Sequence, residues 1–138
     1  MAGQALRSER LPLRSSEDVV LVRQQVRTLA VELGFSLVDQ TKMVTAASEL
    51  ARNTVVYGGG GWARMDVVTG PLGRAGLRLT FEDEGPGIPD IEKALQDGFT
   101  TGGGLGLGLG GAKRLSNEFE IESRPGRTVV RVKLPLSE

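Results

Sequence analysis

Three short stretches hold residues of the types and spacing that chemistry needs. The first is Glu49-Leu-Ala-Arg-Asn53, whose carboxylate and amide are four residues apart and share one face of a helix. A glutamate there can take the proton of an attacking hydroxyl or water, and an asparagine carbonyl is a hard oxygen suited to Mg²⁺. Alone, the segment also reads as a solvated helix face ending in asparagine. The second is Asp83-Glu-Gly-Pro-Gly-Ile88. An ionised Asp83 only accepts hydrogen bonds, which suits an exocyclic amine such as that of adenine, and Gly85 and Gly87 would let backbone approach a flat base. An ordinary Asp-Gly-Pro-Gly turn has the same letters. The third runs from Thr100 to Gly111, with seven glycines between Gly102 and Gly111. Backbone N–H groups of such a loop, leading into a helix, form a phosphate cradle. A flexible loop of small residues is the alternative. Yet each glycine at a helix start costs up to ~1 kcal/mol relative to alanine, and phosphate approach is a reason to accept several.

Two familiar phosphate motifs fail on this loop. Gly106 and Gly111 have P-loop spacing, but Ala112 stands where the lysine is needed. Gly106, Gly108 and Gly111 fit G-x-G-x-x-G, with Glu122 downstream, but the preceding Thr-Thr-Gly-Gly-Gly is not the strand a dinucleotide fingerprint requires.

These stretches need a core to hold them. A chain of 138 residues, 39% apolar and 25% charged, is composed like one globular domain. Its 17 basic and 17 acidic side chains cancel, without the basic footprint of a general nucleic-acid binder. Cysteine and histidine are both absent. That removes disulfides, thiolate and imidazole metal sites, Ser-His triads and a phosphoacceptor histidine on this chain. No apolar run approaches the ~20 residues of a membrane span, and the first residues lack an apolar signal core. A reducing cytoplasm is the expected location.

The pattern predicts the positioning elements. Leu11 and Leu13 mark a first strand. Ser15-Ser16 with Glu17-Asp18 reads as a helix start with a capping side chain, and Val19, Val22, Val26, Leu29, Ala30 and Leu33 keep helical spacing up to Gly34. A second helix spans Ser36 to Tyr57 and is stopped by Gly58–Gly61, a run that reads as a loose turn. Trp62 to Val68 and Leu77 to Phe81 alternate as a hairpin. Asp90 to Gln96 suggests a short helix and Leu105 to Leu115 a helix with a glycine-rich start. Phe119, Ile121 and then Val130, Val132, Leu134 give two closing strands. Paired strands predict an α+β, two-layer sandwich: a mixed, mostly antiparallel sheet with helices on one face.

Each motif is weak alone, but the ordered set is specific. E-x-x-x-N on a helix, D-x-G-x-G after a strand, a Thr/Gly lid and G-L-G-L-G together resemble the GHKL superfamily and its Bergerat nucleotide fold, over about residues 10 to 136. Within it, Ser48–Asn53, Asp83–Asp90 and Asp97–Leu109 are similar to the RsbT-like switch kinases of bacterial stressosome modules. The resemblance implies a serine/threonine-protein kinase using ATP and Mg²⁺. Its partners would be STAS-domain antagonist and scaffold proteins of the RsbS and RsbR types, with an RsbU-type phosphatase activated after release, and no nucleic acid or membrane. Glu49 would be the general base and Asn53 the Mg²⁺ ligand. Asp83 would hold adenine, with Gly85, Gly87 and Ile88 lining its pocket. Thr100, Thr101, Gly103, Gly104, Leu105, Gly106, Leu107 and Gly108 would form lid and phosphate loop. Thr128, in Gly126-Arg-Thr128, matches the family's late Gly-x-Thr, whose hydroxyl helps hold the adenine end. The rival is an anti-sigma factor kinase of the RsbW/SpoIIAB type. Its asparagine is usually followed by Ala and a His, whereas Thr54-Val-Val-Tyr57 stands here.

Overall fold

The computed structural model describes residues 5–69, 73, 75–96 and 108–135. The elements follow in the order β1 (Ala5–Leu13), α1 (Ser16–Glu32), α2 (Leu37–Val56), β2 (Gly61–Thr69), β3 (Ala75–Asp83), α3 (Ile91–Ala94), α4 (Leu109–Leu115), β4 (Glu118–Arg124) and β5 (Arg127–Pro135). This is the order expected from the pattern. The strands form one sheet, β1-β2-β3-β5-β4. Every pairing among the described strands is antiparallel, so no parallel pair of a mixed sheet occurs among them. β1 begins well before Leu11: Arg7, Ser8, Glu9 and Arg10 continue it along the sheet edge, where solvent replaces the apolar alternation.

Register gives the sheet two chemically different faces. Leu11, Ala63, Phe81, Val130 and Ile121 line up across all five strands, and Met65, Leu79, Val132 and Phe119 form the next row. Both rows join one core with Met43, Ala47, Leu50 and Ala51 of α2 and Val22, Val26, Leu29 and Ala30 of α1. Ala94, Leu109 and Ala112 of the short helices enter the same core, which places the helices on one face as expected. Each fully buried Leu, Val or Met contributes roughly 1.5–3 kcal/mol of transfer free energy, and this layer fixes α2 against the sheet.

The opposite face is polar. Arg10, Arg64, Thr80, Arg131 and Glu120 form one of its rows. Asp66, fully buried among these side chains, accepts hydrogen bonds from the Ser8 hydroxyl, Arg64 and Arg78. A buried carboxylate needs such donors, and the bond to Ser8 ties β1 to β2.

Local capping decides where the helices sit. Ser15 takes the N-cap position of α1, but its side chain makes no capping bond. Instead the carboxylate of Asp18 turns back and accepts the Arg14 backbone N–H at 2.8 Å and the Arg14 Nε at 2.9 Å. In place of the expected serine cap, an aspartate of the first turn bonds to Arg14, the residue before the N-cap. α1 ends at Glu32 with Leu33 as its C-cap, and Gly34 just beyond has φ +78°, a left-handed turn open to glycine at no steric cost. Ser36 caps α2, its hydroxyl accepting the Asp39 N–H at 3.1 Å.

Candidate functional site

The end of β3, the start of β5 and the C-terminal half of α2 meet around one pocket. Register places Gly61, Asp83, Thr128 and Ser123 in a row across β2, β3, β5 and β4, on the helix-facing side that Phe81 and Val130 also occupy. The pocket has an apolar lining from Leu50, Phe81, Ile88, Leu109 and Val130, with Asn53, Asp83 and Thr128 as polar groups. A flat apolar slot with a few fixed polar groups is what a nucleobase requires.

Asp83 is 9% exposed. Burial pushes its carboxyl above the ordinary aspartate value; the Gly85 N–H, donating to Oδ1 at 2.9 Å, opposes that shift, and the nearby Glu82 charge adds to it. Gly58 makes room for this carboxylate. A β-carbon at Gly58 would lie 2.3 Å from Asp83 Cγ and 2.6 Å from Oδ2. One at Gly61 would lie 1.9 Å from the Glu82 carbonyl oxygen. Gly58 and Gly61, at the two ends of the run, are therefore packed closely against the end of β3, while Gly59 and Gly60 between them are left-handed turn residues, Gly59 with open space where a β-carbon would be.

The loop after Asp83 is stapled to the β4–β5 turn. Gly126 N–H donates to the Gly85 carbonyl at 2.8 Å. Ile88 N–H donates to Ser123 Oγ at 2.8 Å, and Ser123 Oγ lies 2.7 Å from Thr128 Oγ1. Gly87 has φ +84°, and a β-carbon there would sit 2.6 Å from the Arg124 carbonyl oxygen. Gly85 itself does not line the pocket; it backs onto Gly58, where a β-carbon would approach within 2.8 Å.

The other end of the site lies along α2. Asn53 Oδ1 is a buried carbonyl oxygen at the pocket wall. Glu49 lies one turn earlier, partly buried, against the head of α4. There Gly108 is the N-cap, left-handed at φ +67°, and a β-carbon would fall 2.1 Å from Glu49 Oε2. Only glycine lets the backbone that enters α4 lie on the Glu49 carboxylate. α4 is a helix from Leu109, with Gly110 buried in it. Lys113, Arg114 and Arg52 are exposed.

The structure brings Asn53, Asp83, Gly87, Ile88 and Thr128 to one pocket and Glu49 and Gly108 to its neighbour along α2. Thr100, Thr101, Gly103, Gly104, Leu105, Gly106 and Leu107 lie outside the described residues. Sequence reasoning missed Gly58, Thr54, Tyr57 and Ser123. Thr54 and Tyr57 line the pocket, and their positions one and four residues after Asn53 were the signal available. Ser123 had none, because its partners are 35 and 5 residues away and only register joins them.

Residues 38–138 match the family described as histidine kinase-, DNA gyrase B- and HSP90-like ATPases. The chain belongs to this ATPase family. It is 51% identical over 109 residues to the serine/threonine-protein kinase RsbT of Bacillus subtilis, covering 79% of this chain and 81% of that one. That similarity places it with RsbT among the family's serine/threonine-protein kinases. It is 32% identical over 126 residues to the anti-sigma F factor of Thermoanaerobacter sp. strain X514, 87% of each chain. Among solved structures, the RsbU and RsbW domains of a Mycobacterium tuberculosis protein superpose with a TM-score of 0.65 at 20% identity, covering 96% of this chain and 33% of that one. This chain thus spans a third of that larger protein. The SiaB–SiaC complex of Pseudomonas aeruginosa gives a TM-score of 0.56 at 15% identity, covering 97% and 92%. At these identities the likeness is one of fold: the same antiparallel α+β sandwich.

Proposed function

We propose that this chain is the kinase of a partner-switching module, moving the γ-phosphoryl of ATP to a serine or threonine of a STAS-domain protein of the RsbS or RsbR type. Once released from that partner it activates an RsbU-type phosphatase. The observation that carries the reading is the seat of Glu49. Its carboxylate lies under the glycine backbone that enters α4, one turn from Asn53 at the nucleotide pocket. A base is thereby held beside the place where phosphates would meet the chain.

The acceptor hydroxyl oxygen attacks phosphorus, the bond to the ADP oxygen breaks, and Glu49 takes the hydroxyl proton. Asp83 accepts from the exocyclic amine of adenine, while Leu50, Phe81, Ile88 and Val130 cover the faces of the ring. Gly85 fixes the Asp83 rotamer through its N–H, and Gly87 and Thr128 complete the pocket. Thr100, Thr101, Gly103, Gly104, Leu105, Gly106, Leu107 and Gly108 would supply the lid and its backbone donors to phosphate. The donor set fits a hard divalent cation: the buried carbonyl oxygen of Asn53 is of the class Mg²⁺ accepts, alongside phosphate oxygens. When bound, Mg²⁺ would neutralise charge on those phosphates. Among the described residues no helix is long and apolar enough to cross a membrane, and a cytoplasmic location follows from the proposed role.

The test mixes the protein with Mg²⁺, γ-labelled ATP and a single-domain STAS protein. Label on a STAS serine or threonine is expected. ATP binding without label transfer would overturn the kinase assignment. The anti-sigma F factor relatives favour a second reading, a nucleotide-gated switch that holds a sigma factor. Co-purification with a sigma factor rather than with a STAS protein would select it.

A further inference from the structure

Ser123 stands behind Thr128, outside the pocket lining. Its two hydrogen bonds have a polarity that can be worked out. A backbone N–H can only donate, so Ser123 Oγ is the acceptor in its 2.8 Å bond to Ile88 N. Ser123 keeps one proton to place. Thr128 Oγ1, 2.7 Å away, is its other described partner. If Thr128 donated to Ser123, the serine proton would be left without an acceptor in a partly buried site, at a cost of roughly 1–3 kcal/mol. Donation from Ser123 to Thr128 avoids that cost. The chain of bonds then runs Ile88 N–H to Ser123, Ser123 O–H to Thr128, and the Thr128 proton is left to point into the pocket.

We infer that Ser123 is a specificity-determining residue: it fixes Thr128 as a hydrogen-bond donor beside the acceptor Asp83, and the pair selects adenine over guanine. Asp83 and Thr128 are register partners on the same face, so their β-carbons are about 4.5–5.5 Å apart. Adenine presents an amine donor next to the acceptor ring nitrogen N1. Guanine presents a carbonyl acceptor next to an N–H donor, the reverse order. In this pocket guanine would set acceptor against Asp83 and leave two buried groups unpaired, the arrangement that rejects an analogue most strongly.

This inference rests on the reading of the pocket as an ATP site. The experiment measures binding of Mg-ATP, Mg-GTP and Mg-1-deaza-ATP, which lacks the N1 acceptor, to the full chain and to Ser123→Ala, Ser123→Thr and Thr128→Val. The wild type is expected to prefer ATP to GTP. Ser123→Ala should weaken ATP about tenfold while changing GTP much less, so the preference shrinks. Ser123→Thr should restore it, and adding Ser123→Ala to Thr128→Val should change neither affinity further. 1-deaza-ATP should bind the wild type about tenfold more weakly than ATP, a readout that needs no variant to fold. The inference is overturned if Ser123→Ala weakens ATP and GTP equally, if it changes neither, or if 1-deaza-ATP binds the wild type as tightly as ATP. A wild-type chain that binds none of the three overturns the ATP site itself.

Discussion

Gly58 lies against the carboxylate of Asp83, and Gly108 lies against the carboxylate of Glu49. Each glycine gives an acid room that any β-carbon would fill, yet the surroundings of the two acids differ. Asp83 ends a central strand. Register partners flank it on both sides, Gly85 bonds it, and the loop that follows is pinned at Gly85 and Ile88 to the β4–β5 turn. Glu49 is carried by α2 and lies against Gly108, the N-cap of the short α4. The base end is built by the sheet and preorganised for recognition. The Glu49 end is a joint between α2 and α4, whose geometry depends on how one loop enters one helix. Lesions at the two ends should therefore separate binding from turnover.

The largest effect is expected at the Glu49 end. Glu49→Ala should lower phosphoryl transfer by roughly 10²–10⁴ and leave ATP affinity within a few-fold, measured by label transfer and calorimetry on the same preparation. Equal loss of both would assign Glu49 to binding. Next is Asp83→Asn, which replaces a carboxylate by an amide with one acceptor and should weaken ATP about 10- to 100-fold. Unchanged affinity would remove Asp83 from the site.

The paired glycines sharpen the contrast. Gly58→Ala should act like a mild Asp83 lesion and lower ATP affinity. Gly108→Ala forces a side chain into a left-handed residue against Glu49, and should lower transfer about tenfold with a smaller effect on affinity. If both variants lose affinity alike, the two ends are not independent.

Acidity tests the same distinction. Burial raises the Asp83 carboxyl, so it takes a proton at a pH where an ordinary aspartate is still charged. ATP affinity should fall on acidification from above the usual aspartate range, and Asp83→Asn should lose that dependence. The stability effect has the opposite sign. The folded chain holds this proton more tightly than the unfolded chain. The contribution is therefore fully present below the unfolded value and is lost as pH rises through the raised one. Binding and stability should move in opposite directions across that window.

The element order was legible because core positions alternate in the strands and repeat helically in α1 and α2, and because Gly34 and Ser36 are local signals. Asp83, Asn53 and Thr128 were legible because each sits in a short motif. What was not legible is nonlocal. Gly58 is tight only because β3 returns Asp83 to it, 25 residues later in the chain. Ser123 reads as an ordinary strand residue until β5 places Thr128 beside it. β1 looked short because an edge strand can carry Arg7, Ser8, Glu9 and Arg10 without an apolar face. The Ser15 cap failed because Asp18 found a stronger local partner in Arg14, one backbone N–H and one guanidinium.

That last substitution sets the smallest expected effect, and it is the control for the others. The Arg14 guanidinium and backbone N–H hold the Asp18 carboxyl below its ordinary value. Its contribution to stability is therefore present above the unfolded aspartate value and is lost as pH falls through the lowered one. Asp18→Asn should flatten this part of the acid limb of the Tm profile and lower Tm by a few degrees at neutral pH. No α1 residue lines the nucleotide pocket, so ATP affinity should not change. If it does change, α1 is coupled to the nucleotide site through its packing on α2, and the Glu49 end would be adjustable from the far side of the helical layer. An unchanged affinity with a shifted acid limb would confine that coupling to α2 and α4, where Gly108 meets Glu49.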